Sequence, residues 1–220
     1  MKKIVLASAL VGLVAVSNGA AASEFTINPM LGVSHNKAFK PNVAAGVELG
    51  YKDVLFGYTY TGDKKDSTQS EVFDFDGSAA QVTAGSNEQF KAHSVYLGYQ
   101  FAVGTGHLAV KVGVDYSKYR NSLGIHASTL PNSNEFHKAG VSLNGSSGYE
   151  LSPMVGVGYY LDNGLNFNLH YTFQSGDRDM TVSGSGYIDD KKGSTAGKRV
   201  KSAFDNKDLG TVMFTVGYRF

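Results

Sequence analysis

Three groups of residues in this 220-residue chain have types and spacings that could do chemistry. His126 and Ser128 stand two apart. On an extended strand that spacing puts both on one face, the arrangement in which an imidazole activates a hydroxyl nucleophile. No acid stands near them in their Ser- and Asn-rich segment, so the pair lacks an orienting partner. The run Phe73-Asp74-Phe75-Asp76-Gly77, with Glu71 before it, offers hard carboxylate oxygens to a cation such as calcium. It lacks the full spaced ligand set of a calcium loop, and a solvated acidic segment is the plainer reading. Lys191, Lys192, Lys198, Arg199 and Lys201 crowd together and could meet phosphates or anionic polymers.

Other chemistries are excluded at the outset. The chain has no cysteine, which removes thiol catalysis, thiolate metal sites and a disulfide framework. His35, His93, His107, His137 and His170 are scattered without metal-ligand spacing. The glycines sit in strands and turns, not between a strand and a helix as a phosphate loop requires. No enzyme activity, metal or cofactor is therefore expected. A net charge of +1 gives no reason to expect nucleic acid as a partner.

The elements that must carry these residues are announced by an odd composition. Charged residues make up 18%, below the roughly 25% usual for soluble domains, while glycine reaches 27 and Tyr and Phe 13 each. With 42% apolar residues the chain does not fit the signature of disorder. Its mean hydropathy of −0.17 does not suit a helical membrane protein. Lys2 and Lys3, the apolar run Ile4 to Val16 and the small residues Ala20 to Ala22 predict an export signal over residues 1–22. That run is too short for the roughly 20 residues of a spanning helix. Without Lys2 and Lys3 the remaining chain would hold 18 basic and 19 acidic residues.

Apolar residues then recur at every second position in eight segments, the period of an extended strand. The clearest are Val43 to Tyr51, Val54 to Tyr60, Val95 to Phe101, Leu108 to Tyr116, Leu151 to Tyr159, Leu165 to Phe173 and Val212 to Phe220, preceded by Phe25 to Val33. Each has about the 9 to 11 residues of a tilted membrane-spanning strand. Short gaps follow even segments: Lys52-Asp53, Gly104 to Gly106, and Asp162-Asn163-Gly164 with its hairpin-forming Asn-Gly pair. Long gaps, at about 34–41, 62–89, 120–148 and 175–208, follow odd ones. A soluble exported sandwich also alternates but has no reason to sort its loops in this way. A membrane barrel does, because its periplasmic turns are short and its external loops long. The expected fold is all-β, an eight-stranded antiparallel up-and-down transmembrane β-barrel, with both termini in the periplasm.

The ending Phe214-Thr215-Val216-Gly217-Tyr218-Arg219-Phe220 resembles that of the OmpA/OmpX type of small outer-membrane barrel, which closes on an aromatic residue with further aromatics at alternate positions. The resemblance implies that Phe214, Val216, Gly217, Tyr218 and Phe220 are read by the barrel-assembly machinery. The chain stops at Phe220, without a periplasmic peptidoglycan-binding domain, and so looks more like the barrel-only and adhesin-like members. Some small outer-membrane barrels modify lipid A with a His-x-Ser pair. In those deacylases Asn follows the serine, where this chain has Thr129.

An eight-stranded barrel has an interior just wide enough for its own side chains. Glu48, Lys111, Asp115, His170 and Arg219 are expected to face it beside Gln100, Asn166 and Asn168, forming a paired polar network that plugs the lumen. Little or no stable conductance follows. The acidic segment 62–89 and the basic, Gly- and Ser-rich segment 175–208 are expected to be mobile external loops. They would serve adhesion, colonisation or envelope integrity by binding host-surface or matrix ligands. The surrounding lipid and lipopolysaccharide would be partners of an otherwise monomeric protein. A lipid A-modifying enzyme and a narrow passive pore are the alternatives.

Overall fold

The computed structural model describes residues 25–75, 78–129, 137–174, 178–189, 191–201 and 209–220. The expected export signal and Asp76 lie outside them. The strands are β1 (Phe25–Asn36), β2 (Asn42–Tyr51), β3 (Val54–Phe75), β4 (Ser78–Ala102), β5 (Gly106–Thr129), β6 (Lys138–Ser147), β7 (Glu150–Leu161), β8 (Leu165–Thr172), β9 (Asp179–Ile188), β10 (Lys191–Lys201) and β11 (Thr211–Tyr218). Antiparallel pairing runs β1-β2-β3-β4-β5 and β7-β8-β11, and two seams, β5 on β7 and β11 on β1, close these into a ring of eight. These eight are the segments that the alternation picks out.

The ring is inside out relative to a soluble domain. Leu31, Val43, Leu97, Val112 and Leu151 stand 56–70% exposed on the outer wall, whereas Glu48, Lys111, Asn166 and His170 inside are at most 1% exposed. Glycine makes the narrow interior possible. A Cβ at Gly57 or Gly113 would overlap Tyr96, one at Gly156 would overlap His170, and one at Gly158 would overlap Asn168. Three short turns join the strands at one end. Lys52, Gly104 and Gly164 take the left-handed backbone there, at φ 53°, 62° and 91°. The Gly164 N–H closes the last turn on the Leu161 carbonyl at 3.0 Å.

At the other end the structure corrects the expectation of loops. β3, β4 and β5 run for 22, 25 and 24 residues, so roughly half of each projects about 40 Å beyond the ring at ~3.4 Å per residue. There β6 adds to β5, β9 to β6 and β10 to β9, making a projecting sheet in the order β3-β4-β5-β6-β9-β10. Ser183-Gly184-Ser185-Gly186, read from composition as mobile, is strand, with Gly184 to Gly186 paired on both sides and Ser183 paired with β6 at a bulge in β10. The projection is rich in Ser, Thr, Gly and Asn, and its apolar alternation is confined to short stretches such as Leu123 and Ile125 on β5 opposite Leu143 and Val141 on β6, too short to stand out in sequence.

Candidate functional site

The lumen is organised in three layers. In the middle, the Lys111 ammonium meets Glu48 Oε2 at 2.7 Å and Asn168 Oδ1 at 2.6 Å. It also lies over the rings of Tyr96 and Tyr160, 4.9 and 5.3 Å from their centroids. The Glu48 carboxylate accepts bonds from the Tyr96 hydroxyl (2.9 Å), the Tyr160 hydroxyl (2.7 Å) and Asn28 Nδ2 (3.2 Å). Asn28 and Asn166 exchange bonds, and Asn168 donates to Asn166. This satisfies both buried charges, as a low-dielectric interior demands. His170 lies against Tyr96, with ring centroids 4.9 Å apart and 48° between planes, and neither of its ring nitrogens is hydrogen-bonded among the described residues.

Asp115, expected in the same network, belongs to the layer above. It accepts from Ser94 (2.7 Å) and Gln174 (2.5 Å). The Arg178 guanidinium there donates to Ser117 Oγ (2.7 Å) and Gln174 Oε1 (3.0 Å), and its Nε lies 3.5 Å from Glu150. Over this layer sits an apolar cap of Phe39, Phe90, Ala92, Tyr119, Met180 and Leu209. Asn36 Oδ1 accepts the N–H groups of Ala38 and Phe39, an Asx turn that folds the short β1–β2 connection inward and brings Phe39 against Phe90 and Tyr119. Arg219 forms the lowest layer, donating to Gln100 Oε1 at 2.9 Å and lying 5.3 Å over the Tyr160 ring.

Arg178, Gln174, Glu150 and the cap were missed from sequence because they fall beside or outside the alternating segments. Arg178 in particular is one charge among thirteen in residues 175–208, and only the fold singles it out.

The terminal residues sit on the β1–β11 seam. Val212, Phe214, Val216 and Tyr218 face outward, Tyr218 packs edge-on against Phe220 at 4.9 Å, and Phe220 exchanges backbone bonds with Ile27. Gly217 faces in, where a Cβ would overlap Asn28 and Asn166.

In the projection, Glu71, Phe73 and Asp74 are exposed on β3, and the backbone of Phe75 ends that strand. Among the described residues no group of three or more His, Asp or Glu side chains is placed to hold a metal. Lys191, Lys192, Lys198, Arg199 and Lys201 all fall on β10, which is one edge of the sheet, while the acid-bearing β3 is the other. His126 bonds the Tyr187 hydroxyl at 3.2 Å and stacks on that ring. Asp189 holds the β6–β9 end: the Lys138 N–H donates to it at 3.0 Å and His137 Nδ1 lies 3.3 Å away. These contacts, the backbone bond first, hold its carboxyl below the usual aspartate range.

No family model matches the chain and no curated protein matches it. Among solved structures it is similar to CarO of Acinetobacter baumannii, at 16% identity and a TM-score of 0.36 over 88% of this chain and 97% of that one. A major outer membrane protein from Thermus thermophilus is similar at 13% identity and 0.42, over 89% and 98%. CarO2 of A. baumannii is similar at 12% and 0.36, over 89% and 99%.

Proposed function

We propose that this chain is an outer-membrane barrel with a shut lumen, and that its working part is the projecting sheet, a binding surface held outside the cell. Adhesion, colonisation or envelope integrity are the roles such a surface serves, and no catalytic step is assigned to it. The observation that carries the reading is the division of labour along the chain. The wall puts its apolar residues outward, where only lipid hides them, since only a closed barrel crosses a bilayer with strands. The three lumen layers and the aromatic cap fill the interior among the described residues with paired and packed side chains, which supports a plug rather than a pore. Six strands are invested beyond the ring, with an acid-bearing edge on β3 and a basic edge on β10. The termini then lie on the periplasmic side, and Phe214 to Phe220 serve assembly of a monomer at the β1–β11 seam.

Trimming the β3–β4 hairpin at a paired register tests this reading. Removing residues 71–82, whose ends are partners, should abolish binding to host cells or matrix and leave the heat-modifiable gel shift of the folded barrel intact. Undiminished binding after this deletion and after removal of Lys191 to Lys201 would overturn it. Planar-bilayer recordings should show no stable conductance, and large steps of uniform size would refute the shut lumen.

A further inference from the structure

The outer face of the wall, just above its aromatic belt, carries a cluster of cations, Lys91, Lys118 and Arg120. Tyr60, His93 and Tyr116 lie side by side across β3, β4 and β5. One pleat period higher, about 7 Å toward the projection, Lys91 stands directly opposite Lys118, and one period above that Gln89 stands opposite Arg120. Like charges directly opposed across strands destabilise a sheet. Among the described residues none of the three cations has a carboxylate within ion-pair distance. Asp66 on this face is taken by Lys64 at 3.0 Å, and Glu150 turns inward to Arg178.

The site has built walls. Tyr149 stacks flat on Tyr116, with ring centroids 4.3 Å apart and 8° between planes, and the Lys118 ammonium is held 5.2 Å over the Tyr149 ring. Gln89, Lys91, Lys118, Arg120 and Tyr149 border a cleft of about 40 Å³. Immediately below, Val95, Val114 and Leu151 are exposed on the same face.

We propose that this cluster binds a phosphate-bearing glycolipid of the outer leaflet. Its acyl chains would lie along Val95, Val114 and Leu151, and its head-group phosphates would bridge Lys91, Lys118 and Arg120. The apolar rows, the aromatic belt and the cations follow one another in the order in which the chains, glycosidic backbone and phosphates of such a lipid meet a barrel wall. A bridging phosphate accepts charge-assisted hydrogen bonds from both lysines and relieves their repulsion. The site rests on the outer-membrane placement proposed above. It lies at the base of the projecting sheet, where β6 first pairs with β5 at Arg120.

Native mass spectrometry of the whole detergent-folded protein tests it, with bisphosphorylated lipid A, its dephosphorylated form and phosphatidylglycerol as probes. The wild type should retain the bisphosphorylated lipid at least about tenfold better than either of the others, and the combined variant Lys91→Gln/Lys118→Gln/Arg120→Gln should lose that preference. Lys52→Gln, at the opposite end of the barrel, should keep it. The gel shift certifies that each variant is folded, and the wild-type comparison stands even without a folded variant. Equal retention of the dephosphorylated lipid, retention undiminished in the folded triple variant, or displacement by equimolar inorganic phosphate overturns the site. Fractionation of the protein away from the outer membrane would refute the placement instead, and is read independently.

Discussion

Replacing Glu48 by Gln should be among the most damaging single changes in the barrel. It preserves shape and removes only charge. The Lys111 side chain is 0% exposed and that of Glu48 1%, so no water can take over the lost partner. The ammonium would keep Asn168 Oδ1 and the faces of Tyr96 and Tyr160, which solvate a cation without neutralising it. Breaking a buried pair on one side costs about 3 to 5 kcal/mol. Lys111→Met should cost less, about 2 to 4 kcal/mol, because the Glu48 carboxylate keeps three neutral donors, Tyr96, Tyr160 and Asn28. The double replacement leaves no unpaired charge, and its cost should fall short of the sum by at least about 2 kcal/mol. Equilibrium urea unfolding in lipid vesicles measures all three. The chain has no tryptophan, so the folded fraction is best read from the gel shift and from circular dichroism. Singles below about 1 kcal/mol that simply add would mean that the two charges are solvated separately, and the description of the lumen as a dry, paired plug would be wrong.

Other perturbations probe different parts of the same account. Gly57→Ala places a methyl into the Tyr96 ring and should cost about 1 to 3 kcal/mol in the same unfolding assay, falling below about 1 in a Tyr96→Leu background. His170→Phe keeps the tilted ring contact with Tyr96 while removing two unsatisfied ring nitrogens, and should stabilise the barrel by about 1 kcal/mol; a destabilised variant would point to a polar partner for the imidazole. At the β6–β9 end, Asp189 has its folded carboxyl pKa lowered. Its stabilising contribution is therefore complete above the unfolded value of about 3.9 and is lost as pH falls through the lower folded value. Hydrogen exchange at Lys138 should accelerate in that acidic window, and Asp189→Asn should remove the pH dependence.

Much of this architecture is written in residue order, and what escapes is physically intelligible. The ring is legible because an apolar outer face and a polar plug inside impose a strict two-residue period. Val43 to Tyr51 against Asn42, Gly46, Glu48 and Gly50 is enough to place β2 to the residue. The Asn163-Gly164 turn is legible for a local reason, since Gly164 must take a positive φ. The projection is hidden because its apolar alternation is short and broken: Ser67-Thr68-Gln69-Ser70 has no apolar side, yet pairs residue for residue with Gly85 and its neighbours. Lumen partners were legible only as a face. Sequence puts Glu48, Lys111 and Asp115 inside, but strand stagger assigns Glu48 to Lys111 and moves Asp115 up to Ser94 and Gln174. The cation cluster of Lys91, Lys118 and Arg120 depends on the β4–β5 register and has no signature in either strand alone.

The central claim, a barrel with its short turns inside the envelope and its long sheet outside, has one direct test. Because the chain contains no cysteine, single thiols can be placed without background. Ser67→Cys on the projecting part of β3 and Thr105→Cys in the β4–β5 turn are both at exposed positions. With a membrane-impermeant maleimide, Ser67→Cys should label on intact cells, and Thr105→Cys only after the outer membrane is permeabilised. Labelling of Thr105→Cys on intact cells, or protection of Ser67→Cys there, would contradict the account.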